Sequence, residues 1–178
     1  MRIWHLDADV NNFDNLTTLK QEDWELLRFD GRKLADTWTP IAVRVIEDRK
    51  KSDTPGLSGG VPVFTPMAIA VLKDLMGDTV EVLPLRCRKG EYYAINVLDV
   101  VNCIDYEKAD FERFKSSGRI MLFNKYAFKP ECVKGKHIFK IIDEPVRRPF
   151  VSDEFRNSVL ENGLVGFKFE LVWDSESE

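Results

Sequence analysis

Residues 65–97, TPMAIAVLKDLMGDTVEVLPLRCRKGEYYAINV, decide the fold class because they carry a helix pattern followed directly by strand patterns. Thr65 is a good N-cap residue, and Pro66 suits the first position of a helix. Apolar residues then recur at helical spacing until Gly77, which is typical of a left-handed helix end. β-branched and aromatic residues dominate the remainder, which predicts strands.

Working outward, more strands are predicted on both sides of this stretch, together with one further helix. That helix should begin after Ser152, whose hydroxyl can cap it, and end at Asn162-Gly163. The predicted strands lie at 2–6, 41–46, 79–85, 92–97, 120–123, 137–142 and 164–173. Many strands with two clear helices and no regular alternation predict an α+β domain with a largely antiparallel sheet and two or three helices.

The segment between the first two strands is ambiguous at the sequence level. Trp24, Leu26 and Leu27 suggest a short buried stretch, whereas Asp30-Gly31 suggests a hairpin turn. Either reading keeps this segment within an N-terminal part that is rich in β-structure.

The chain has 178 residues, which fits one domain or two small subdomains sharing a core. The best boundary is 47–60, where mixed charges lead into Pro and Gly residues. This stretch is either a hinge between subdomains or a long surface loop within one domain. We expect a β-rich N-terminal part over 1–60, an α+β core of the same domain over 61–173, and a frayed acidic tail over 174–178.

The charge balance disfavours direct nucleic-acid binding, because 26 Lys and Arg residues face 30 Asp and Glu residues. The longest uninterrupted apolar run, 67–72, is far shorter than the roughly 20 residues that cross a bilayer. The N-terminus lacks the apolar core of a signal peptide. Three cysteines without a Cys-x-x-Cys pair do not suggest a disulfide framework, so a reducing cytoplasm is the expected setting.

The sequence predicts no catalytic, metal-binding or cofactor-binding residues. His5 and His137 are far apart and lack the spacing of a metal site. Asp7-x-Asp9 could share a hard cation, but a solvated acidic edge is the plainer interpretation, because the glycine and distal glutamate of a calcium loop are missing.

The candidates for other chemistry also have plainer interpretations. Cys103 stands in an apolar context typical of a small buried residue. Cys132 and His137 are close in sequence, but a turn is predicted between them. The cations at 86–89 and 147–148 form small clusters that are typical of solvated turns.

Several ordered motifs resemble a family of immunity proteins from bacterial polymorphic toxin systems, formerly described as a domain of unknown function. The similarity runs over roughly residues 79–173. Its middle block is VEVLPL at 80–85, EYYAINV at 91–97 and DVVNCID at 99–105. Its closing pattern is HIFKI at 137–141, FVSDEF at 150–155 and GLVGFKF at 163–169.

This resemblance implies that the protein binds a cognate toxin made by the same cell and blocks it by occlusion, without turnover. Such an inhibitor needs a preformed face of about 800 Å². A nuclease toxin with a basic active face would suit the net charge of −4. The resemblance transfers no catalytic positions.

Contact residues are expected among exposed acids and aromatics of the N-terminal part, where specificity can vary. The candidates are Asp7, Asp9, Asp14, Asp23 and Trp24. Each also has a plainer interpretation, which is ordinary surface charge or, for Trp24, core packing. Two other classes of function stay open: a small hydrolase or transferase using a Cys or Asp, and a regulatory or scaffold module.

Overall fold

The computed structural model describes residues 1–46 and 49–177 and shows an α+β fold, as predicted. The strands are β1 (Arg2–Ala8), β2 (Leu16–Thr18), β3 (Val43–Val45), β4 (Val63–Phe64), β5 (Val80–Leu85), β6 (Tyr92–Val97), β7 (Val100–Val101), β8 (Asp110–Arg113), β9 (Ile120–Lys125), β10 (Ile138–Ile141), β11 (Phe150–Ser152) and β12 (Phe167–Asp174). The α-helices are α1 (Pro66–Met76), α2 (Pro130–Val133) and α3 (Asp153–Glu161). Short 3₁₀ helices lie at Gln21–Leu27, Ala35–Thr37, Ser58–Gly60 and Gly77–Thr79. Within the described ranges, none of these helices is long and apolar enough to cross a bilayer.

The main sheet has five strands in the order β12-β1-β11-β10-β7. Only its last pair, β10 with β7, is parallel. A second sheet has the order β4-β6-β5, and the pairs β2-β3 and β8-β9 form two-stranded ribbons. The pairing within these smaller sheets is antiparallel, which confirms the predicted sheet type.

The two predicted helices form where their capping residues stand. The Thr65 hydroxyl accepts the Ala68 N–H at 3.4 Å at the start of α1, and the Ser152 hydroxyl accepts the Phe155 N–H at 3.2 Å at the start of α3. The predicted left-handed conformation of Gly77 is wrong, although α1 does end just before this residue. Its φ is +48° but its ψ is −138°, because the chain continues through a 3₁₀ turn into β5.

The predicted hairpin turn at Asp30-Gly31 is wrong, because 3₁₀ helices and not strands lie on either side of it. Gly31 has a φ of +95°, and a Cβ there would lie 2.5 Å from Cγ2 of Val100. The glycine therefore serves close packing of this segment on β7. Of Trp24, Leu26 and Leu27, which the sequence suggests as a short buried stretch, only Leu27 is buried.

Three apolar cores hold these layers together. The first lies between the main sheet, α1 and α3, and includes Leu6, Phe64, Leu72, Val151 and Phe155. The second joins the N-terminal part to the β4-β6-β5 sheet and includes Leu16, Leu27, Phe29, Val43 and Leu83. The third covers the other face of the main sheet and includes Ile3, Phe128, Phe139, Phe150 and Trp173.

A bulge in β12 lets this strand contribute to both faces of the main sheet. Trp4 pairs with Leu171, but Ile3 pairs with Trp173, so the register skips Val172. Trp173 consequently lies on the face opposite to Leu171 and is buried in the third core.

The N-terminal part is joined to the rest of the chain by strand pairing and by a buried lysine. β1 lies between β11 and β12 in the main sheet. The Lys140 ammonium donates to the carbonyl oxygens of Phe29 at 2.8 Å and Pro145 at 3.0 Å, and burial lowers its pKa to about 8. The proposed boundary at 47–60 stays a prediction, and its first two residues lie outside the described ranges.

Candidate functional site

The carboxylates of Asp7 and Asp9, at the end of β1, are half-buried and already engaged. Asp7 accepts from Nη1 of Arg148 at 2.8 Å, and Asp9 accepts from Nδ2 of Asn12 at 2.8 Å. About a third of the Asp7 side chain stays exposed, at 36%. The predicted acidic edge is therefore partly neutralised by a neighbouring loop.

Asp14 was expected to be exposed, and the structure corrects this expectation, because only 3% of the residue is accessible. Its Oδ1 accepts from the Ser52 N–H at 3.0 Å and from the Ser52 hydroxyl at 2.7 Å. The carboxylate therefore fixes the loop at Ser52 within the protein and is not available to a partner.

Asp23 and Trp24 lie together on the 3₁₀ helix Gln21–Leu27, whose buried Leu27 attaches it to the second core. The neighbouring apolar side chains Leu19, Trp24 and Leu26 are 59%, 44% and 59% exposed. We call these three residues the apolar ridge. The guanidinium of Arg28 lies 5.9 Å from the Trp24 ring centroid, which holds the indole at the surface. Exposed apolar groups beside charges are typical of a protein-binding surface.

Beside the ridge lies a groove of about 640 Å³ with a basic rim, which we call the basic groove. β3 supplies Arg44 on one side, and the turn after β5 supplies Arg86, Arg88 and Lys89 on the other. Leu19 of the apolar ridge also lines it. The sequence showed the three cations of the turn but gave no signal that Arg44 would join them.

A smaller cavity of about 170 Å³ lies beside the third core and is lined mainly by ionisable and aromatic residues. Arg148 is its centre, since it contacts Nδ1 of His5 at 3.3 Å, Glu170 at 3.4 Å and Asp7. The Tyr126 hydroxyl donates to Glu144 at 2.8 Å, and burial with this bond raises the pKa of Tyr126. The cavity is below the roughly 300 Å³ of typical ligand pockets.

His5 gives this cluster a measurable pH dependence. Burial, together with the nearby Arg148 charge, lowers the pKa of His5 to about 4, whereas the ordinary value is 6.5. Between these two pH values the unfolded chain binds a proton that the folded protein does not, so the free energy of unfolding falls as the pH drops through this window. We expect His5→Gln to lose less stability than the wild type between pH 7 and pH 5, measured by urea denaturation. The same pH dependence in both proteins would contradict this assignment.

Among the described residues, no hydrogen bond joins a cysteine thiol to a histidine ring. Cys103 is buried, and burial raises its pKa to about 12, so its thiol is protonated at neutral pH and is a poor nucleophile. Nδ1 of His137 lies 3.0 Å from the Ser152 hydroxyl, which is its hydrogen-bond partner. Over residues 1–46 and 49–177, no group of three or more His, Cys, Asp or Glu side chains could hold a metal ion.

The fold and this surface define an α+β protein with a candidate docking face. Comparison with known families adds that residues 86–174, half of the chain, match the model of the Immunity protein family (Imm11). The chain therefore belongs to the Imm11 immunity protein family, which confirms the resemblance and indicates an immunity function against a toxin. No curated protein matches the chain.

Proposed function

We propose that this protein binds a cognate bacterial toxin in the cytoplasm of the producing cell and neutralises it by covering its active or substrate-binding surface. The observation that carries this proposal is membership in an immunity protein family. Binding alone would then account for protection, and no reaction by the protein itself is required.

The docking face we propose is centred on the apolar ridge. Tryptophan is the residue type that most often contributes strongly to binding at interfaces, and Trp24 is held in place while nearly half exposed. Asp23 on the same helix can steer a basic toxin surface during encounter. Asp7 and Asp9 stay candidate contact residues because their carboxylates are partly exposed, whereas the buried Asp14 is not part of the proposed face.

Three observations weigh against the hydrolase or transferase that the sequence left open. The Cys103 thiol is protonated at neutral pH, His137 is bonded to Ser152, and the cavity at His5 is small. A non-enzymatic role is therefore part of the proposal. The third alternative, a regulatory module, would bind a stable partner without protecting a cell from a toxin.

The proposal is tested with Trp24→Ala and the toxin domain encoded by the neighbouring reading frame. Loss of a central indole typically costs an interface about 2 kcal/mol or more, so we expect at least about 30-fold weaker binding by calorimetry. The urea midpoint should hardly change, because Trp24 is exposed. Co-expression with the toxin should show reduced cell survival.

Phe114→Ala is the matched control, since Phe114 is an aromatic residue of nearly equal exposure, 45% against 44% for Trp24, in the turn between β8 and β9. It should bind the toxin and protect cells like the wild type. Undiminished binding by Trp24→Ala would remove the apolar ridge from the interface. Failure of the wild type to protect at all would contradict the proposed function itself.

A further inference from the structure

The two walls of the basic groove are fixed relative to each other by backbone hydrogen bonds. The Val43 N–H donates to the carbonyl of Arg86 at 2.9 Å, and the Arg86 N–H donates to the carbonyl of Ile41 at 2.9 Å. Arg44, the neighbour of Val43, therefore lines the same groove as the cations of the turn before any partner binds. A preformed site of this kind loses little conformational entropy on binding.

The four cations that line the groove are exposed to solvent. Elsewhere, two half-buried cations have carboxylate partners, Lys136 with Asp99 at 2.8 Å and Arg148 with Asp7 at 2.8 Å. In the part of the chain that the structure describes, the rim side chains have neither an ion pair nor a hydrogen bond. The side chains concerned are Arg44, Arg86, Arg88 and Lys89. Adjacent like charges repel, and an anionic partner relieves this repulsion.

The floor of the groove selects among anionic partners. Apart from the cations, the lining consists of Leu19, Ala42, Val43, Val45 and Cys87, which have aliphatic or thiol side chains, and we call these five residues its floor. Aromatic rings, the usual platforms on which bases stack, are absent from this lining. The combination of an aliphatic floor and an arginine rim instead fits a polypeptide that alternates carboxylates with an apolar side chain.

The groove is continuous with the proposed docking face, because Leu19 belongs to both. A partner that covers Trp24 and Leu26 would therefore reach the mouth of the groove as well. The charge pattern of the joint surface is mixed, with acids on the 3₁₀ helix and cations around the groove. Mixed patterns of this kind set register and exclude wrong partners.

We propose that the basic groove receives an acidic segment of the toxin, which places carboxylates against Arg44 and Arg88 and an apolar side chain against Leu19. This inference rests on the proposed function and specifies the chemistry of the partner. A toxin that docks here presents two features, a basic area toward Asp23 and an acidic loop toward the groove.

The test uses Arg44→Glu with Arg88→Glu, one reversal on each wall. The matched control is Lys115→Glu with Arg119→Glu, which makes the same change in net charge in the exposed turn between β8 and β9. With the toxin domain of the neighbouring reading frame, we expect the groove variant to bind about 100-fold more weakly and the control within about 2-fold of wild type. Equal binding by the groove variant and the wild type would overturn the proposal.

Two further measurements separate this proposal from its alternatives. Maleimide labelling of Cys87, in a Cys132→Ser background, should be slowed by the toxin, because Cys87 lines the groove while Cys103 is buried. Unchanged labelling would show that the groove stays open and would overturn the proposal. A 20-nucleotide single strand that binds the wild type as tightly as the toxin does, but not the groove variant, would assign the groove to nucleic acid and also overturn it.

Wild-type protein is the reference that distinguishes failure of the proposed function from failure of the groove assignment. If wild type neither binds nor neutralises the toxin, the proposed function fails. If wild type protects cells and the groove variant protects them equally, only the groove assignment fails. Urea midpoints of both double variants close to that of wild type establish that the comparison is made between folded proteins.

Discussion

Replacing Phe150 by alanine is expected to lower the free energy of unfolding by about 3–5 kcal/mol, which is a large part of the stability of a typical domain. Phe150 is 1% exposed and lies in β11 at the centre of an aromatic cluster. Its ring centroid is 4.5 Å from that of His5, 5.3 Å from Phe128 and 5.6 Å from Phe139. Truncation removes contacts with all of them and leaves a cavity.

The measurement is urea denaturation followed by tryptophan fluorescence, since Trp173 lies in the same core. Phe150→Leu, which fills part of the space, should lose less stability. Phe114→Ala, at the exposed turn, should lose almost none. A loss below about 1 kcal/mol in Phe150→Ala would mean that the third core does not hold the main sheet as described.

Replacing Asp14 by alanine is expected to cost about 2–3 kcal/mol of unfolding free energy, because two hydrogen bonds to a carboxylate are lost and the buried Ser52 N–H is left without its acceptor. The Asp14 backbone also joins the loop at Ser52, since its N–H donates to the carbonyl of Lys50 at 2.9 Å. Asp14→Asn keeps one acceptor oxygen, so its loss should be smaller. Chemical denaturation of the three proteins provides the comparison.

Asp23→Ala is the informative counterpart, because it removes a carboxylate of the same N-terminal part from the protein surface. It should leave stability nearly unchanged and slow association with the toxin. If Asp14→Ala were as stable as the wild type, the buried hydrogen bonds to Ser52 would not contribute to the free energy of unfolding. Stability data thus separate a carboxylate that maintains the fold from one that is proposed to meet a partner.

Local chemistry explains which parts of the fold could be predicted from sequence. The caps Thr65 and Ser152 act on N–H groups three residues ahead, so both helices could be located from neighbouring residues alone. The bulge at Val172 could not, since it depends on how β12 pairs with β1. Alternation along β12 would have placed Trp173 on the same face as Leu171.

In the candidate site, too, features that depend on distant residues could not be predicted from the sequence. The exposure of Trp24 could not be read from sequence, because the 3₁₀ helix that carries it is fixed through Leu27 to a core built by distant strands. The burial of Asp14 depends on Ser52, and the basic groove depends on a bridge between Ala42, just before β3, and Arg86, just after β5. The sequence shows which residues are charged, but it does not show which residues lie next to them in the folded protein.

The most direct test of the central claim is a titration of toxin activity against the molar ratio of this protein to the toxin. Occlusion predicts that activity falls in proportion and reaches zero near one equivalent, and that intact toxin is recovered when the complex is separated in denaturant. Complete loss of activity well below one equivalent, increasing with time and leaving modified toxin, would show that the protein acts as a catalyst and would contradict the account.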